Sequence, residues 1–262
     1  MFIKDLINEN ILFNLVYSIG NDCNNKCIGA LPVKAGLRDG LVGLWLFDDG
    51  ADKKIEDSSG NKNHGVLDNG AKAGQTGKFG NAIVTQPKQA VTVPATKSLD
   101  SITNQMSLGG WFRIDKPSDT GHRRNGAYLL EDQATGEQNP DGWVFAVWTD
   151  AGGIGLAWGK KKVKPEVWTH IAGTYDGKMI SLYINGVLDV SVKKTGKVMQ
   201  VKDPLHLGKF GGETYVGGMD EVFLYDRALS VDELKAMMKG FSLATAVDSR
   251  DKLATCWASL KK

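Results

Sequence analysis

Trp168-Thr-His-Ile-Ala-Gly-Thr-Tyr-Asp-Gly-Lys-Met-Ile-Ser-Leu-Tyr-Ile-Asn-Gly-Val-Leu-Asp-Val-Ser-Val192 reads as three short β-strands joined by two tight turns. Asp176-Gly177 and Asn185-Gly186 tolerate positive φ and each stands between apolar-alternating runs, the local signature of a two-residue hairpin. In the middle strand Ile180, Leu182 and Ile184 point one way, and Met179, Ser181 and Tyr183 the other. In the first, Trp168, His170, Ala172 and Thr174 alternate with Ile171, Gly173 and Tyr175. The pattern predicts a meander with a buried inner face and a wetter outer one, so a second layer must cover the inner face.

Three groups of residues carry a family resemblance. They are Trp168 to Gly177, the Tyr183-Ile-Asn-Gly186 hairpin, and Met219-Asp-Glu-Val-Phe-Leu-Tyr-Asp-Arg-Ala-Leu-Ser230. In this order they resemble the laminin-G-like jelly rolls of the concanavalin A-like lectin/glucanase superfamily, over roughly residues 41 to 240. The resemblance implies an all-β, antiparallel two-sheet β-sandwich. It says less about the ligand, because this architecture hosts lectins, adhesion modules, glycanases and spacers.

The chain has 262 residues, enough for one all-β domain with short ends. We divide it into an extension and linker (1–39), a jelly-roll domain (40–240) and a C-terminal amphipathic tail (241–262). A formal net charge of +2 gives no global pointer to nucleic acid or a membrane surface. The early apolar run, Ile11 to Ile19, is too short to span a bilayer, and Asp5 and Glu9 ahead of it offset Lys4; a degenerate signal sequence and a helical or disordered extension both fit it. The three cysteines imply no disulfide framework. Cys23 and Cys27 could be a short bridge, two free thiols or part of a metal site, while Cys256 belongs to a stripe with Leu253, Trp257 and Leu260 at helical spacing.

The first strand, Gly40 to Phe47, ends at Asp48-Asp49-Gly50, and Ile55 to Gly65 follows as a polar loop. Asp57, Ser59 and Asn61 alternate as in a calcium loop, but Lys62 stands where an EF-hand needs glycine and no helices flank it. In a jelly roll the first and last strands often pair, which would bring Asp48 and the 57–61 loop to Met219-Asp220-Glu221. The resemblance implies a structural Ca²⁺ held by Asp48, Asp57 and Asp220. The alternative reading has Asp57 capping its own turn and Asp220 bonding backbone amides.

Pro87 removes a ladder donor from Ile83 to Val93, so that strand is expected to be broken or at an edge. In Met106 to Ile114, Met106, Leu108, Phe112 and Ile114 share the core face and leave Trp111 and Arg113 on the other. A tryptophan off the core face is either a stacking platform for a sugar or packed under a loop. Trp143 and Trp148 have opposite parity, so at least one of them is core. Two polar segments, Gly121 to Gly126 and Glu131 to Gly142, read as loops that carry binding. The candidate ligand residues are therefore Trp111, Arg113, His122, Arg124 and Tyr128. If the basic first segment approached Lys160 to Pro165, an anionic glycan would be a ligand class.

Ser230-Val-Asp-Glu233 is a capping box opening a short helix that stops at Gly240. The paired-carboxylate motif of retaining glycanases is absent, and Glu131-Asp132 with Glu137 has the wrong spacing. No nucleophile elbow, zinc-protease or phosphate-loop motif occurs. These readings combine into a non-enzymatic, secreted or cell-surface binding module, with calcium and with a glycan or extracellular protein as partner; a spacer domain of a surface protein and a polysaccharide-degrading enzyme are the alternatives. Neither nucleic acid nor stable membrane insertion is expected.

Overall fold

The computed structural model describes residues 36–49, 54–116, 121–133, 142–162, 164–210 and 213–241. The readings made on Cys23 and Cys27, most of the N-terminal extension, most of the second polar loop and the C-terminal tail lie outside these residues.

The first strands are β1 (Leu41–Trp45), β2 (Lys54–Ile55), β3 (Gly65–Asp68), β4 (Lys72–Thr76), β5 (Asn81–Thr85) and β6 (Ala90–Val93). Next come β7 (Met106–Lys116), β8 (Gly121–Arg124), β9 (Tyr128–Gln133), β10 (Gly142–Thr149), β11 (Gly153–Trp158) and β12 (Thr169–Tyr175). The last are β13 (Met179–Ile184), β14 (Val187–Lys193), β15 (Leu205–Leu207), β16 (Lys209–Phe210), β17 (Glu213–Thr214) and β18 (Val216–Tyr225), followed by helix α1 (Val231–Met237). They build an antiparallel sandwich. One sheet runs β14-β13-β12-β7-β18-β5-β4 with β1 also on β18, and the other runs β11-β10-β9-β8-β15-β6-β3-β2.

The meander forms as its turns dictate. Asn185 and Gly186 take φ of 51° and 69°, and Gly177 takes 89°, which sets the β12–β13–β14 register. Ile171, Tyr175, Ile180, Leu182 and Ile184 then face the other sheet and, with Phe112 of their own sheet, join Tyr128, Trp143 and Phe145 in the core. Gly173 is required here, because a Cβ on it would lie 2.1 Å from the Phe145 ring.

The outer face of β12 is not the wetter surface its alternation suggests: His170, Ala172 and Thr174 are all buried. Leu234 and Met237 of α1, with Leu37, Leu229 and Phe241, cover that side of the sheet and pack on Ala172, Phe223 and Tyr225. The helix starts where its sequence says, since Ser230 accepts from the Glu233 amide and Glu233 accepts from the Ser230 amide. Pro87 does break its strand. The chain turns between Gln86 and Gln89, and β5 and β6 enter opposite sheets, neither at an edge. Among the described residues no helix is long and apolar enough to cross a membrane.

Candidate functional site

Strand β18 changes partners along its length. Its first part, Gly217 to Met219, pairs with β5, and its second, Val222 to Tyr225, pairs with β1. Asp220 and Glu221 sit at that junction in a β-bulge against β7, with Glu221 at φ 50°. A bulge re-aims side chains, and a non-glycine residue in this region of φ is held there by its surroundings. Both carboxylates consequently reach a rim built from segments distant in sequence.

The Gly77–Asn81 turn is clasped by two of these acids. Asp220 Oδ2 accepts the Phe79 amide at 2.8 Å, and Asp48 Oδ1 accepts the Asn81 amide at 2.8 Å. A Cβ on Gly77 would fall 2.7 Å from Asp220 Oδ2, and one on Gly80 2.3 Å from Asp48 Oδ1. Glu221 Oε2 accepts the Phe241 amide at 2.8 Å. Burial pushes the Asp220 carboxyl up to about 7, against the Phe79 amide, which favours its charge. Burial also raises Glu221, and the Asp48 charge adds to the effect.

Asp220 is fully buried, and among the described residues its Oδ1 has no hydrogen-bond partner. An orphaned carboxylate oxygen beside a second acid and an exposed turn is the kind of donor set a hard cation takes. Among the described residues, no three His, Cys, Asp or Glu side chains gather as a metal cluster, so backbone carbonyls would have to complete the shell. Asp57 is engaged within its own loop and with β1. Its Oδ1 accepts the amides of Leu44 and Ser59, and its Oδ2 accepts the Ser59 hydroxyl and the Asn63 amide. Four donors occupy both of its oxygens, and the residue organises its own loop against β1.

The expected ligand residues are redistributed. Residues 121–124 form strand β8 rather than a loop, so parity turns His122 and Arg124 inward. Arg124 is 2% exposed and donates to Asp100 at 2.6 Å and to the carbonyls of Leu99, Val201 and Asp203. Tyr128 is fully buried, and burial raises its hydroxyl out of the normal range. His122 lies 4.7 Å from the Phe112 ring, and burial lowers its pKa to about 3. None of these three side chains reaches a ligand rim.

Trp111 does face away from the core, as its parity requires, but it is packed under neighbours. Lys78 Nζ lies 4.5 Å over its ring, and His170 stands edge-on at 5.4 Å. Arg113 is partly exposed, paired bidentately with Asp115 at 2.7 and 2.8 Å and placed 5.4 Å over Trp168. The two basic segments do not merge. Lys160 and Lys161 follow the edge strand β11 and give their amides to Asp189, whereas β8 is three strands away, about 14 Å at 4.8 Å per strand.

A surface that parity alone marks out lies on the outer face of the second sheet. The cross-strand row Leu156, Ala146, Leu129, Arg123, His206, Thr92 and Val66 runs continuously from β11 to β3. Trp148 and Trp158 flank its apolar end, both partly exposed. They are offset by four residues along the strands, about 14 Å at 3.4 Å per residue. Arg123 stacks 5.4 Å over Trp148 and lies 3.5 Å from Glu131. At the polar end, Thr92 donates to Asp68 at 2.7 Å beside His206, and Lys209 approaches Asp68 at 3.7 Å. Aromatic faces with hydrogen-bonding groups alongside suit a ligand with both apolar faces and hydroxyl edges.

Comparison with known proteins agrees with this architecture. A laminin G family model, described as the concanavalin A-like lectin/glucanases superfamily, matches residues 85–235. No curated protein sequence matches significantly. Among solved structures, domain 4 of AbnA, a GH43 extracellular arabinanase from Geobacillus stearothermophilus in complex with arabinotriose, is similar at 19% identity and TM-score 0.61, over 76% of this chain and 98% of that one. The binding domain of Paraclostridial Mosquitocidal Protein 1 is similar at 19% identity and TM-score 0.60, over 77% of this chain and 52% of that one. The binding domain of Botulinum neurotoxin DC, in complex with rat synaptotagmin II, follows at 12% identity and TM-score 0.60, over 78% and 52%. This chain thus spans about half the length of the toxin chains. Two antiparallel sheets in this order, with a family match across more than half of its residues, make the chain a member of the concanavalin A-like lectin/glucanases superfamily.

Proposed function

We propose that this chain is a non-catalytic carbohydrate-binding module that works outside the cell and carries a structural calcium. The observation that carries the reading is the outer face of β8–β11, where Trp148 and Trp158 stand partly exposed beside Arg123 and Glu131. Indole rings stack on the apolar face of a sugar ring, and the flanking charged groups bond its hydroxyls. A 14 Å offset between the two rings suits an oligosaccharide better than a single sugar.

The acids on β9 argue against glycoside cleavage. Glu131 lies on the outer face and Asp132 on the inner one, so they cannot flank one bond as paired carboxylates must. Calcium would be held by Asp48 and Asp220 with carbonyls of the clasped turn, fixing β1, β5 and β18 to one another at the rim. Its contribution is charge neutralisation at that rim.

A glycan array probed with the whole chain, repeated with Trp148→Ala and Trp158→Ala, tests the reading. Binding that falls at least about tenfold in either variant supports it. No glycan binding by a folded chain would move the ligand to the protein class, for which Val187 and Leu188 on edge strand β14, 54% and 51% exposed, offer a contact.

A further inference from the structure

An open pocket of about 470 Å³ lies where turns of both sheets meet, lined by Asn104, Gln105, Asp150, Asp176, Lys178 and Lys197. We propose that it is a second saccharide subsite, taking one uncharged sugar unit; the proposal rests on the carbohydrate-binding reading above.

The pocket is pre-formed. Asp150, in the β10–β11 turn, accepts the Lys197 amide through Oδ1 at 2.8 Å and gives its own amide to the Lys197 carbonyl at 3.0 Å. Asp176, in the β12–β13 turn, accepts the amides of Lys178 and Met179 through Oδ1 at 2.8 and 2.7 Å. The described structure uses only Oδ1 of each, which leaves Oδ2 for a ligand. The wall opposite is equally fixed. The buried Tyr175 hydroxyl donates to the Gly196 carbonyl at 2.5 Å, Thr149 donates to Thr195 at 2.8 Å, and the Val198 amide donates to Thr103 at 2.7 Å. Gly177 and Gly196, at φ 89° and 104°, add backbone without side chains to the lining. A rigid wall costs little ordering on binding.

The chemistry of the lining chooses the ligand. Two carboxylates cancel two ammonium groups, which disfavours a strong anion or cation. The two amides supply donors and acceptors together, and the carboxylates supply acceptors only. That mixture matches hydroxyl groups, each both donor and acceptor. The volume falls within the usual range of about 300 to 1,000 Å³ for small-molecule sites.

Amide chemical shifts of the whole isotope-labelled chain, titrated with arabinotriose, cellotriose and sialyllactose, test the proposal. The expected result is a saturable shift at Asn104, Gln105, Gly177 and Gly196 with a neutral sugar, unchanged between about 50 and 500 mM salt. Asn104→Ala and Asp150→Asn should each weaken it about five- to tenfold while the rest of the spectrum stays folded. Shifts confined to Trp148 and Trp158 would overturn this subsite and leave the module's function standing. Shifts nowhere, with either neutral sugar, would overturn both. Shifts here with sialyllactose alone, lost in salt, would replace it with an anion site.

Discussion

Asp220 accepts the amide of Phe79 at 2.8 Å across 141 residues of sequence, and this bond joins the last long strand to the turn ahead of β5. The same turn takes Asp48 from the end of β1, so one short segment is held by an acid of β18 and an acid that follows β1. That convergence brings Asp48 and Asp220 to one turn, whereas the oxygens of Asp57 are taken by donors of its own loop and of β1.

Calcium at about 100 times its dissociation constant should stabilise the folded chain by about 2.7 kcal/mol, read as a rise in melting temperature. Asp220→Asn and Asp48→Asn should each abolish the rise. Because burial raises the Asp220 carboxyl to about 7, the metal must displace a proton below that pH, and its affinity should fall between pH 8 and 6. An equal calcium effect in wild type and both variants would reject the site.

The Trp148 and Trp158 substitutions should leave stability nearly intact while removing binding, since both rings are partly exposed and lie outside the main core. Trp143→Ala is the contrasting control. Its ring is 1% exposed inside the sandwich, and its loss should cost about 3 to 5 kcal/mol in a urea titration.

His122 and His170 are fully buried, and burial lowers both to about 3. The unfolded chain protonates them near 6.5, so between about 6.5 and 3 the unfolded state binds more protons and stability falls as pH drops. Each histidine contributes a slope of about 1.4 kcal/mol per pH unit within that window. Asp220 acts with the opposite sign between 3.8 and about 7, because its folded form holds the proton longer. Urea unfolding at pH 7.5 and 5 should therefore show a net loss on acidification, shallower than two histidines alone would give. A flat profile in an Asp220→Asn background would contradict the burial argument.

Gly173→Ala tests the packing between the sheets. The added methyl would lie 2.1 Å from Phe145, which is itself fully buried, so no flexible side-chain end can give way. Destabilisation of at least about 1 to 3 kcal/mol is expected; a neutral change would mean that the two sheets sit further apart at this point.

Arg124→Met should cost about 3 to 5 kcal/mol, because it strips partners from Asp100 and from three backbone carbonyls at once. Asp100→Asn should cost less, since the guanidinium keeps its carbonyl acceptors. Denaturant midpoints for the two variants decide the order.

Local chemistry made much of this legible. The Asn185-Gly186 turn, the parity of Trp143 against Trp148, the Ser230–Glu233 cap and the break at Pro87 each follow from one or two neighbouring residues. The basic Gly121 to Gly126 stretch misled for the same reason. Its polar composition suggests a loop, yet Arg124 and His122 enter the interior because Asp100 and three carbonyls meet the guanidinium there and the Phe112 ring packs against the imidazole.

By itself the sequence determined the sandwich, since period-two alternation and turn residues act within a few positions of themselves. The tertiary structure decided which surfaces are free. Helix α1 covers the outer face of β12, which alternation alone would leave in water, while Trp148 and Trp158 stay partly open on the opposite sheet. It also decided which acids meet, because β18 exchanges β5 for β1 midway, and a pairing between positions more than a hundred residues apart leaves no periodic trace in the chain.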